Sequence, residues 1–206
     1  MRPPRQVSKD APDFAMWRQL IIDSFVRPRD AARRVLGLGL APGVIVQAAL
    51  AVTCLGVVLG YVMLLLAAGQ VDPVSAVVLD RPFLGAATQL GVMAAVALAT
   101  YRIGRAFGGQ GDLVGAATVV VWLNAMMLMI QVAQLVAMAL VPPLAGLIAI
   151  ATFFWVLWAF ANFTAELHDF PSPVMVLGVT ILSVVVLIFG LAMLAAILGL
   201  GPQGGR

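Results

Sequence analysis

Glu166, His168 and Asp169 fall within four positions of one another, a cluster of side chains able to exchange protons or hold a metal. Neighbours this close on a short loop supply at most two ligands in good geometry, whereas a zinc site takes three or four. No serine or cysteine around His168 has the setting of an activated nucleophile. The cluster therefore reads as a polar turn whose acids stay ionised, and no catalytic residue, metal or cofactor is expected. Cys54 is the single cysteine, which excludes an internal disulfide and a CxxC pair. Gly108-Gly109-Gln110-Gly111 has the glycine density of a phosphate-cradling loop. It lacks a following Gly-Lys-Ser/Thr and no strand precedes it, so it predicts a tight turn.

Two further groups could act without ionising. Asn124 and Gln131 are seven residues apart, two helical turns, and Gln134 lies about 60° further round. This polar stripe reads as a path for a neutral solute or lipid headgroup, or as interhelical hydrogen bonding with Gln47, Gln89 or Asn162. Gly56 and Gly60 form a GxxxG that permits close backbone approach, either to a second copy in a homo-oligomer or to another helix of the same chain.

The elements that must position these groups are set by composition. Of 206 residues, 63% are hydrophobic and 10% charged, with a mean hydropathy of +1.07. A soluble domain carries about 25% charged residues. So little polar surface cannot cover a water-soluble fold, and the lipid bilayer is the solvent that fits. The formal charge is +3, and the basic residues have a topological explanation, so nucleic acid is not an expected partner. A helix needs roughly 20 apolar residues to cross about 30 Å of hydrocarbon. Five segments meet that length, near 43–67, 84–101, 113–140, 144–163 and 174–198. Pro42, Pro142-Pro143 and Pro171-Ser172-Pro173 mark helix starts, since proline is tolerated only in the first turn. The fold class is all-α: a five-span bundle over 43–198, preceded by a basic segment at 1–42 and followed by a short tail at 199–206. All nine acidic and twelve basic residues fall in loops, tails or span ends, which disfavours ion-coupled transport and voltage sensing.

Arginine and lysine orient the bundle. Arg2, Arg5, Lys9, Arg18, Arg27, Arg29, Arg33 and Arg34 precede the first span, and Arg102 and Arg105 follow the second. Arg81 and Arg206 lie on the other side. This asymmetry places the N-terminus in the cytoplasm and the C-terminus outside, in the inner (plasma) membrane. No cleaved signal peptide is expected, because the first apolar stretch is long enough to span. Asp13 is placed to cap a helix over Phe14–Val26 in which Phe14, Trp17, Ile21 and Phe25 share one face and Gln19 and Asp23 lie opposite. With Arg27, Arg29, Arg33 and Arg34 beside it, this segment suits an in-plane interfacial helix. It serves either as anchor and topology signal or as a docking surface for a membrane-protein partner or anionic lipid.

Four motifs in order complete the pattern: the Trp17 helix, then Phe25-Val26-Arg27-Pro28-Arg29-Asp30-Ala31-Ala32-Arg33. Next come Phe107-Gly108-Gly109-Gln110-Gly111, leading into Gly115-Ala116-Ala117 and Trp122, and Ala165-Glu166-Leu167-His168-Asp169-Phe170 before the last span. Over roughly residues 14–198 the chain resembles the bacterial branch of the Yip (Ypt-interacting protein) family. The resemblance implies a five-helix membrane protein with a cytoplasmic N-terminus. Eukaryotic relatives are associated with Rab-type GTPases and vesicle traffic, partly through a longer N-terminal region than the forty or so residues here. It transfers no catalytic residue.

Overall fold

The structure is a computed structural model that describes residues 14–66 and 81–197. The readings attached to Arg2, Arg5, Lys9, Asp13, Arg206 and the 199–206 tail lie outside the described residues. All described regular structure is helical: α1 Phe14–Val26, α2 Pro28–Gly37, α3 Pro42–Leu66, α4 Pro82–Ala106, α5 Leu113–Leu140, α6 Pro142–Leu167 and α7 Pro173–Ile197.

Five of the seven helices begin at a proline. Its fixed φ suits the first turn, and the N–H it lacks would have had no helical partner there. α5 starts differently: Asp112 caps it, its Oδ1 accepting from the Gly115 amide at 2.8 Å. Two helices end in the same device. At the end of α4, Gly109 N–H bonds Gly104 O at 2.8 Å and Gly108 N–H bonds Arg105 O at 3.1 Å, with Gly108 left-handed at φ 86°. At the end of α6, Phe170 N–H bonds Ala165 O at 2.8 Å and Asp169 N–H bonds Glu166 O at 3.4 Å, with Asp169 at φ 56°. Both are Schellman closures, and Asp is among the few side chains that tolerate the left-handed residue.

Helices α3 to α7 are long and apolar enough to cross a membrane. α5 and α6 form the central pair; α3 and α4 pack on α5, and α7 packs on α6. A third of the most apolar stretch of α5 is buried against 6% for α3 and for α7, which identifies α5 as the hub. The outward Leu, Val and Phe side chains need no protein partner, because lipid is as apolar as they are. The short helices α1 and α2 lie across one end of the α5–α6 pair, the near end. There Leu20, Ala31, Ala32 and Val35 join Val119 and Leu123 of α5 and Ala159 and Phe163 of α6 in one buried cluster.

Candidate functional site: a polar cap at the near end and an uncharged cavity beyond it

The α1–α2 segment is fastened to the bundle by specific polar contacts. Trp122 Nε1 donates to Ser24 Oγ at 3.0 Å, and that hydroxyl donates to Leu20 O at 2.8 Å. Trp17 stacks on Trp122 at 6.3 Å between ring centroids, and Phe25 on Trp155 at 4.8 Å. Phe14, assigned to the same face by helical spacing, is instead 82% exposed. The buried edge of α1 is Leu20, Asp23 and Ser24. Asp23 can turn inward because Arg34 Nη1 meets its Oδ2 at 2.7 Å and Gln19 Nε2 donates to its Oδ1 at 3.0 Å.

Two other arginines bind the end of α6. Arg29 Nε reaches Glu166 Oε2 at 3.1 Å, and Arg33 Nε reaches Oε1 at 2.8 Å. Arg29 also donates to the carbonyls of Phe170 at 2.9 Å and Pro171 at 3.3 Å, so it clamps the α6–α7 turn. A carboxylate near a helix C-terminus adds to the negative end of the helix dipole, and these two guanidinium groups offset both. Glu166 draws on α2, 133 and 137 residues away in sequence. Arg27 lies exposed on the cap, with no ion pair among the described residues.

His168 is the centre of the second lock. It is 1% exposed, and both ring nitrogens are engaged. Nδ1 accepts from the Gly111 amide at 3.2 Å, and Nε2 lies 3.1 Å from Thr100 O. An amide N–H can only donate and a carbonyl only accept, so the partners assign the proton to Nε2 and leave the ring neutral. The backbone adds a third tie, Gln110 N–H to His168 O at 3.3 Å. Gly104, Gly109 and Gly111 surround the ring so closely that a Cβ on any of them would come within 3.0 Å of it. The Gly-Gly-Gln-Gly turn is thus a cradle for an imidazole. Phe170 stacks on the outer face at 5.5 Å. Burial holds His168 below the usual imidazole range; Arg105 acts in the same direction, the Thr100 carbonyl and Asp169 against it. Asp169 and Glu166 point to separate tasks, and among the described residues no group of three or more His, Cys, Asp or Glu converges as a metal site.

The intramembrane stripe is divided. Asn124 and Gln131 line a cavity of about 330 Å³ between α3, α4 and α5, together with Thr53, Tyr61 and Gln89. Gln134, half-buried a turn further on, is not among its lining residues. Gln89 Nε2 donates to Asn124 Oδ1 at 3.0 Å, and Asn124 Nδ2 donates to Val120 O at 2.8 Å. Of the other amides, Gln47 is exposed and Asn162 bonds Trp158 O of its own helix at 2.8 Å. Gly56 and Gly60 also face this cavity, and a Cβ at Gly56 would meet Leu128 at an ordinary 3.6 Å. The glycine face is therefore turned toward α5 of the same chain.

Sequence spacing did not reveal the Arg29/Arg33–Glu166 clamp, the His168 cradle or the Ser24–Trp122 bond. One signal was present: three glycines at 108, 109 and 111 exceed what a single tight turn requires.

The chain matches the Yip1 domain over residues 22–194 and belongs to that family. With five helices of spanning length it is a multi-pass membrane protein of the Yip type. No curated protein and no solved structure matches it in the same comparisons.

Proposed function

We propose that this Yip-family chain is a non-enzymatic protein of the inner (plasma) membrane that docks partners on its cytoplasmic face. In this reading the N-terminus is cytoplasmic and the C-terminus outside, following the arginine asymmetry. The observation that carries it is the outer edge of α1. Phe14, Ile22 and Val26 are 82%, 45% and 65% exposed, and Arg18 and Arg27 stand beside them in the open. An exposed apolar strip rimmed by arginines suits an anionic headgroup layer or the juxtamembrane surface of another protein. The polar fastening beneath α1 and α2 holds that strip in one orientation. The test is crosslinking and affinity purification from native membrane with Arg18→Glu/Arg27→Glu against the parent chain. Co-purifying proteins and anionic lipids should fall several-fold while insertion and helix content stay. An unchanged set contradicts the reading.

A second reading, movement of a neutral or amphipathic solute along Asn124 and Gln131, draws on the uncharged cavity. It requires that cysteines at 124 and 131, in a Cys54→Ala background, react with polar thiol reagents from both sides of the membrane.

A further inference from the structure

The cavity that supports the second reading has a floor. Toward the near end, one turn beyond Thr53, Gln89 and Asn124, lie Ala49, Met93 and Val120. Met93, Ala97 and Val120 form a buried cluster, with Ala49, Ala117 and Val121 packed against it. Thr53 Oγ1 rests 3.9 Å from Met93 Sδ, where the polar lining stops. Further along these three helices lies a groove of about 280 Å³ bounded by such apolar side chains as Ile45, Ala49 and Val121. A hydrated solute would find no hydrogen-bonding partner along it.

The polar part of the cavity runs from mid-helix toward the far end. Its lining on α3 extends from Val52 to Tyr61, and on α4 from Gln89 back to Pro82 at the helix start. Among the described residues no charged side chain lines it, so a charged headgroup placed there would lack a counter-ion from them in a setting where that is costly. Amides and hydroxyls are nevertheless present: Thr53, Tyr61, Gln89, Asn124 and Gln131. The Gln131 amide makes no side-chain hydrogen bond among the described residues, and only one amide proton of Gln89 is engaged by Asn124. The volume lies at the lower end of small-molecule sites, about 300–1,000 Å³.

We infer that this cavity is a blind binding site for an uncharged amphiphile bearing hydroxyl or carbonyl groups, taken up from the far half of the membrane and not passed through. The inference rests on the second reading's cavity but replaces its path by a closed receptor site, and it is independent of the near-end docking face. Carbonyl or hydroxyl groups pair with the free amide protons of Gln89 and Gln131. The apolar body lies against Val52, Val57, Met127 and Leu128.

The test uses the full chain in lipid nanodiscs and a diazirine-bearing long-chain alcohol as probe, with the carboxylic acid of the same chain at pH 8 as the charged comparison. Photolabel in peptides covering residues 52–61, 82–89 and 124–131 should be at least fivefold higher with the alcohol than with the acid. Gln131→Leu, which removes no intramolecular hydrogen bond among the described residues, should reduce that labelling by more than half, and Asn124→Leu further. In a Gln131→Cys, Cys54→Ala protein, polar thiol reagents should reach the introduced thiol from the far side alone. Equal labelling by the acid, or labelling unaffected by Gln131→Leu, overturns the site. Access to that thiol from both sides overturns the blind floor and restores the path, leaving the docking proposal untouched.

Discussion

The near end of the bundle and its middle use their polar groups in opposite ways. At the near end, buried and half-buried acids are held by arginines, Glu166 by Arg29 and Arg33 and Asp23 by Arg34, with a neutral His168 locked among glycines. In the middle, the polar groups are uncharged amides and hydroxyls around open space, and the amides among the described residues are joined across helices by the Gln89–Asn124 bond. Ions can be kept only where water and opposite charge are close by, and there they give a rigid, sequence-distant lock. Inside hydrocarbon an amide is the tolerated alternative, and it constrains the helices weakly. Glycine follows the same division. Gly104 is demanded by the ring lying on it, whereas Gly56 has room for a methyl group.

That contrast is most sharply tested at the two glycines. Gly104→Ala gains up to about 1 kcal/mol in helix propensity but drives a methyl into the His168 ring, a forced overpacking worth about 3 kcal/mol or more. A melting temperature lowered by several degrees in detergent is the expected outcome. Glu166→Gln comes next: it removes two charge-assisted contacts at the α2–α6 junction, with an expected loss of about 1–2 kcal/mol by chemical denaturation. Charge-preserving Glu166→Asp shortens the reach to both arginines and should fall between.

The His168 lock adds a pH dependence. Its folded-state pKa lies below the ordinary value of 6.5, so between the two values the unfolded chain binds more protons than the folded one. Stability from this group is complete above pH 6.5 and falls as pH drops toward the lowered pKa, by at most about 1.4 kcal/mol per pH unit. Denaturant midpoints between pH 7.5 and 5 should show that slope in the parent chain, and His168→Asn should flatten it. A slope unchanged in His168→Asn places the titration elsewhere. The smallest effects belong to the middle. Gln89→Leu should cost about 0.6 kcal/mol, the average for an interhelical bond in a bundle. Gly56→Ala, where the methyl meets only ordinary contact, should keep its gain of up to about 1 kcal/mol in helix propensity, and a net loss there would erase the contrast.

Local pattern made the frame readable from sequence. Apolar runs of spanning length, prolines at helix starts and the absence of charge within the spans all act over a few residues, and they define a five-helix all-α bundle. The motifs that resembled the Yip family also fall where the structure is most constrained, at the cap, the glycine turn and the α6 end. The contacts among them were not readable, because they join residues 57 to 141 positions apart and leave no period. α1 shows why a helical wheel misleads here. Hydrophobicity alone turns Phe14 inward and Asp23 outward, but Arg34 neutralises Asp23 and Trp122 bonds Ser24, so the helix rolls to bury its polar edge. The amide stripe was visible as a stripe. Its division at Gln134 depends on how α3 and α4 pack on α5, which no single-helix pattern contains.

The central claim is that α1 and α2 form a fixed cap locked to α6 and not a helix free in the membrane plane. Asp30 on α2 and Val174 at the start of α7 are both exposed and suit spin labels on cysteines in a Cys54→Ala chain. Double electron–electron resonance between them should give a single narrow distance distribution in nanodiscs, broadened by Glu166→Gln. A broad distribution in the otherwise unaltered chain, or one indifferent to Glu166→Gln, would contradict the lock.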